Sequence, residues 1–155
     1  MARFPLRSDL QVMQGYHSAQ VDVPIRLNTN EAPFSPPQQW LNEVAEAVGS
    51  IAWNRYPDRE VTELREGIAR LHGVNANQVF VANGSNEVLQ SILLAYSGPG
   101  RTVATFAPTY QMHAQIAKVV GANVVEGSRN ADFTLNAQEI ERVVAQSNPA
   151  VSFLC

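Results

Sequence analysis

Four short stretches of this 155-residue chain combine residue types that could do chemistry. Asn83-Gly84-Ser85-Asn86-Glu87 lies between a β-branched, aromatic run and an apolar helical pattern. At such a turn the backbone N–H groups and the Ser85 hydroxyl can cradle a phosphate, because a helix N-terminus stabilises negative charge. The same residues are also ordinary turn and cap chemistry. Neither the dinucleotide fingerprint nor the P-loop pattern is present, so a phosphate monoester suits this short loop better than a pyrophosphate. Phe106-Ala107-Pro108-Thr109-Tyr110 ends the next strand-like run at the same edge. A Tyr110 ring held there is a stacking partner for a flat cofactor, a contact worth about 0.5 to 1.5 kcal/mol beyond burial. The other reading is a core tyrosine with its hydroxyl satisfied. Tyr56, in Asn54-Arg55-Tyr56-Pro57-Asp58, is a loop aromatic with a polar tip, fit for function or for plugging a surface. Leu27-Asn28-Thr29-Asn30-Glu31-Ala32-Pro33-Phe34 gathers amides and a carboxylate, or is simply an Asx-rich turn.

Other chemistries lack their residues. His17, His72 and His113 are scattered without metal-ligand spacing, so no metal site is expected. Cys155 is the only cysteine, which excludes an intramolecular disulfide. Lys118 is the only lysine among 11 basic residues, and its place between Ala117 and Val119 on a helix predicts a solvated or snorkelling side chain. A net charge of -3 gives no footprint for nucleic acid. No apolar stretch approaches the roughly 20 residues of a membrane span, and the N-terminus lacks the long apolar run of a secretory signal. Neither a nucleic acid nor a membrane is expected as a partner, and a cytoplasmic location is.

The elements that must position these residues follow from periodicity. Pro24, Pro33, Pro36 and Pro37 break the first third into extended pieces. Trp40, Leu41, Val44 and Val48 then recur at helical spacing, with Gly49-Ser50 as a stop. Asp58 can cap a second helix that carries Val61, Leu64, Ile68 and Leu71 and ends at Gly73. Strands are expected at 78–82, 102–106 and 123–126, and helices at 87–96, 109–120 and from Asn136 to Val144, the last opened by a capping box of Asn136 and Glu139. Ala150 to Cys155 reads as a fourth strand, cut inside a buried element. Strand-helix alternation predicts a mainly parallel sheet with helices on both faces, with ligands at the carboxyl ends of the strands.

In this order the motifs resemble the N-terminal part of the histidinol-phosphate aminotransferase family, fold-type I enzymes that use pyridoxal phosphate. Leu27-Asn28-Thr29-Asn30-Glu31, Asn54-Arg55-Tyr56-Pro57-Asp58, Gly84-Ser85-Asn86-Glu87 and Ala107-Pro108-Thr109-Tyr110 carry the resemblance, with Gly15-Tyr16 similar to the family's arm motif. The resemblance implies that Gly84, Ser85 and Asn86 bind the cofactor phosphate and that Tyr110 stacks on the pyridine ring. It implies that Tyr56 reaches the partner subunit's phosphate across a homodimer, and that Tyr16 and Asn30 line the substrate pocket. Ala32 stands where many relatives carry Asn, and His113 where Tyr is frequent. The Schiff-base lysine, the Asp for the ring nitrogen and the Arg for the substrate carboxylate follow later in that family, so no catalytic residue is assigned here. Lys118 lies about two helical turns past Tyr110 and cannot substitute.

The expected architecture is therefore α/β: the three-layer, mainly parallel sheet of a fold-type I pyridoxal-phosphate transferase large domain, truncated. Residues 1–35 are expected as an arm and linker contributing to a small domain and a dimer contact, and 36–155 as the first part of the cofactor-binding domain. The function implied is transamination of histidinol phosphate or imidazole-acetol phosphate with glutamate or 2-oxoglutarate, with this chain inactive by itself. A relative acting on an aromatic amino acid or threonine phosphate, and a stand-alone phosphate-binding module, are the alternatives.

Overall fold

The β-branched Thr102, Val103 and Thr105, with Phe106, build the central strand, β1 (Thr102–Ala107), in the computed structural model, which describes residues 5–13, 15, 19, 21–26 and 28–155. Strand β2 (Asn123–Ser128) runs parallel to β1 in register from Thr102 opposite Asn123 to Ala107 opposite Ser128. Strand β3 (Val151–Ser152) runs parallel on the other side, with Val103 opposite Val151, so the order is β2-β1-β3. Successive strand side chains face opposite ways. Val103 meets Leu93 of helix α3 (Ser85–Tyr96) together with Ile116 and Ala117 of helix α4 (Met112–Val119). Ala104 and Phe106 face the other way, onto Val143 of helix α5 (Ala137–Ser147). The three layers expected from the alternation are present, and β1 is buried on both faces as a central parallel strand should be. Gly127 in β2 has no room for a side chain, since a Cβ there would lie 2.6 Å from the Phe106 ring and 2.9 Å from Val143 Cγ2.

The chain divides into two units, Met1–Tyr16 with Val81–Cys155, and His17–Phe80. The second holds α1 (Gln38–Ser50) and α2 (Thr62–His72). Both Asp58 carboxylate oxygens accept main-chain N–H groups, from Glu60 at 3.0 Å and Thr62 at 2.9 Å, which holds the carboxyl below its ordinary range. This is the cap foreseen for α2. Gly73 ends that helix in the left-handed region at φ 66°, as a glycine stop does. Val61, just before α2, also lies in the left-handed region, at φ 49°, an outlier for a β-branched residue. None of the α1 residues is buried, and Leu71 on α2 is 80% exposed.

Several boundaries differ from expectation. Residues 78–82 form no strand: a single 3-10 turn, Ala76–Gln78, closed by a capping box of Asn75 and Gln78, is followed by irregular backbone. Phe80 is 63% exposed there, and the segment pairs with no strand among the described residues. Residues suited to a pleated surface form a ladder only where a neighbouring strand accepts their hydrogen bonds. The terminal strand is limited to Val151–Ser152. Helix α3 starts at Ser85, two residues early, and α4 starts only at Met112.

The Asn136 side chain caps α5 by accepting the Gln138 N–H at 2.9 Å, but Glu139 does not close the expected box. It pairs instead with Arg142 at 2.6 Å and accepts the Ser128 N–H at 3.2 Å, joining α5 to the end of β2. The Arg142 guanidinium, and then the Ser128 N–H, hold the Glu139 carboxyl down from 4.5 to about 2. A lowered folded-state value means that this contribution is complete above the unfolded value and disappears as pH falls through the folded one. The thermal stability difference between the unaltered protein and Glu139→Gln should therefore shrink as pH drops from above 4.5 to about 2. A constant difference across that window would show that the carboxylate charge contributes nothing.

Candidate functional site

The carboxyl end of β1 and the N-terminus of α3 create the site. Gly84 precedes α3 at φ 79°, ψ 165°, a region essentially closed to residues with a Cβ, and its own N–H donates to Ala82 O at 2.9 Å. Glu87 turns back to accept the Asn83 N–H at 2.7 Å, which fixes the turn. Gly84, the N-cap residue, has no side chain to cap α3, so among the described residues the first N–H groups of the helix, from Ser85 onward, stand open with the dipole behind them. Nothing lies within 4 Å of where a Gly84 Cβ would stand. Gly84→Ala should nonetheless cost about 1 to 3 kcal/mol, because the penalty comes from backbone conformation rather than space. Denaturant unfolding checks this, and an unchanged midpoint would mean that the turn relaxes freely.

Tyr110 follows β1 through the turn Ala107-Pro108-Thr109. Its hydroxyl donates to Asn86 Oδ1 at 3.1 Å, which places the ring beside the open helix end while leaving it 39% exposed. His113, in the first turn of α4, supports the same ring edge-on at a centroid distance of 5.5 Å. On its other side His113 stacks on Phe153 at 4.4 Å. Burial pushes the His113 imidazole below its ordinary value, which favours the uncharged form. Its Nδ1 and the Thr109 hydroxyl are both shielded from solvent without a hydrogen-bond partner among the described residues. An exposed helix N-terminus beside a tethered, half-exposed ring is an arrangement that can receive a flat, phosphate-bearing ligand.

A family model, aminotransferase class I and II, matches residues 22–155. The chain belongs to that family. A histidinol-phosphate aminotransferase from Paenarthrobacter aurescens is 43% identical over 99% of this chain and 42% of its own length. One from Thermobifida fusca is 42% identical over 97% of this chain and 42% of its own length. This aminotransferase-family chain thus spans about two fifths of the curated relatives it matches. Among solved structures, histidinol-phosphate aminotransferase from Sinorhizobium meliloti, in complex with pyridoxal-5'-phosphate, superposes with a TM-score of 0.73 at 22% identity, over 81% of this chain and 33% of that one. Aspartate aminotransferase from Thermotoga maritima gives 0.65 at 27% identity, over 77% and 34%. The fold is that of fold-type I pyridoxal-phosphate aminotransferases, as the resemblance implied.

The structure brings Gly84, Ser85, Asn86 and Tyr110 of this family member together. Tyr56 is in the other unit, 98% exposed on its loop. Asn30 is there too, in the left-handed region at φ 55°, lining a groove with Arg26, Glu31 and Pro33. Tyr16 lies outside the described residues, as do Leu27 and His17. Lys118 is exposed near the end of α4, as expected. Sequence reading missed Arg129, which binds main-chain oxygens at the carboxyl edge. The strand expected there ends at 126, and nothing local marks Arg129.

Proposed function

We propose that a protein of the relatives' full length carrying these residues is a pyridoxal-phosphate-dependent aminotransferase that exchanges an amino group between histidinol phosphate or imidazole-acetol phosphate and glutamate or 2-oxoglutarate. The uncapped start of α3 beside a Tyr110 ring tethered by Asn86 carries this reading, and relatives above 40% identity that bear the name histidinol-phosphate aminotransferase support the substrate. Gly84 keeps the backbone close to the cofactor phosphate, and the Ser85 hydroxyl and the first N–H groups of α3 bind it. The Asn86 side-chain oxygen, accepting the Tyr110 hydroxyl, holds the ring where it would stack on the cofactor. His113 supports that ring through its edge contact. When bound, pyridoxal phosphate supplies the electron sink for amino-group transfer. Tyr56 serves the partner subunit's cofactor phosphate in a homodimer, its exposed hydroxyl free for that contact, while Tyr16 and Asn30 line the substrate pocket. Residues 1–35 act as arm and linker, and 36–155 begin the cofactor domain. Lys118 takes no part.

The deciding assay is turnover of the full-length protein with histidinol phosphate against phenylalanine, each with 2-oxoglutarate. Faster turnover of histidinol phosphate is expected, and a preference for phenylalanine would overturn the substrate assignment. Tyr56→Phe should weaken cofactor binding by about 0.5 to 1.5 kcal/mol, or up to about 3 if a charged phosphate accepts the hydrogen bond. Unchanged affinity in a dimer would remove Tyr56 from the site.

A further inference from the structure

The half-buried Arg129 side chain, one residue beyond β2, spends its donors on main-chain oxygens from three segments. Nε donates to Phe106 O at 3.2 Å, Nη1 to Phe133 O at 2.9 Å, and Nη2 to the main-chain oxygen of Cys155. Its own backbone N–H donates to Ala107 O at 2.9 Å. Among the described residues no Asp or Glu side chain pairs with it. One planar cation therefore joins the carboxyl end of β1, the loop before α5 and the chain leaving β3.

Two of these attachments lead to the same ring. Phe106 and Ala107 open the turn that ends at Tyr110. Phe153, two residues before Cys155, stacks on His113, which contacts the Tyr110 edge. Arg129 therefore contacts two segments, the end of β1 and the chain after β3, that both lead to Tyr110.

We infer that Arg129 is a positioning residue for Tyr110, holding the ring at the angle the cofactor site needs. This rests on the reading of Tyr110 as the cofactor's stacking partner. Only a forked guanidinium serves, because a lysine ammonium is a point donor that cannot span three separated oxygens.

The test uses the full-length protein, with Arg129→Lys as the deciding variant because it keeps the charge and the aliphatic stem. Three quantities are read: the dissociation constant of pyridoxal phosphate from the cofactor-free protein, the visible circular dichroism of the bound cofactor, and the melting temperature without cofactor. Arg129→Lys should weaken cofactor binding roughly three- to tenfold, the loss expected when a stacked ring is misplaced. The dichroism band should change with it. Arg129→Gln should do the same, and added guanidinium ion should restore part of its affinity. A lysine variant that fails to fold, or that lowers the melting temperature while affinity and dichroism stay at their original values, would overturn the inference and leave Arg129 a purely structural clamp. Tyr110→Ala separates the two levels. If it changes neither affinity nor dichroism, the stacking assignment itself falls. If it changes both while the Arg129 variants change neither, only the role of Arg129 falls.

Discussion

Phe106→Ala should destabilise the protein by about 3 to 5 kcal/mol, the range for removing a fully enclosed aromatic. Phe106 is 1% exposed and packed with Ala104 and Val143, so its loss leaves a cavity between the sheet and α5. Against a typical net stability of about 5 to 15 kcal/mol, that is a large share. The facing position tests the packing from the other side. Gly127→Ala inserts a methyl 2.6 Å from the ring, and overpacking of this kind costs about 1 to 3 kcal/mol. Combined with Phe106→Ala, the added methyl no longer meets a ring, although Val143 Cγ2 at 2.9 Å still resists it. The double variant should therefore lose less than the sum of the two single losses. Urea unfolding of all four proteins measures the coupling, and strict additivity would show that the ring and the glycine do not depend on each other.

The second large effect is expected when residues 1–155 are produced alone. Trp40, Leu41, Val44 and Val48 on α1 and Leu64 and Leu71 on α2 are all exposed. Fully enclosing a side chain of this size contributes about 1.5 to 3 kcal/mol, so six that are only partly covered forgo a share of that each, together a substantial part of the stability of a domain. The isolated chain should bind a hydrophobic dye strongly and melt without a sharp transition. A soluble monomer with cooperative melting and no dye binding would refute this, and would favour a stand-alone module. Added pyridoxal phosphate should leave no stoichiometric borohydride-trapped adduct on Lys118, the only lysine available.

What could be read from the sequence was what depends on near neighbours. The β1 and β2 runs, the glycine stop at Gly73, the Asp58 cap and the juxtaposition of Ser85, Asn86 and Tyr110 at one sheet edge all follow from residue type, spacing and the alternation of elements. What depends on distant contacts was hidden. Residues 78–82 have the composition of a strand but lack a ladder. Glu139 matches a capping box but is drawn off by Arg142 and the Ser128 N–H. Gly127 lies outside the expected strand, and its lack of a side chain is explained only by the Phe106 ring opposite it. The left-handed Val61 and the three oxygens of Arg129 carry no local pattern at all, because each is imposed by surrounding structure rather than by the residue.

The strand order has a consequence for how the sheet is assembled during synthesis. β1 is central, yet both of its neighbours come later in the chain: β2 after one helix, β3 after two. When β1 leaves the ribosome it has no strand to pair with, and its apolar residues must wait for α4 and β2 to follow. The β1-α4-β2 crossover closes the shorter loop and so costs less entropy, which places it first. β3 joins last, over the longest sequence separation, where pairing is slowest. Until then one edge of β1 is unpaired, and that interval is when another copy of the chain can take the place of β3.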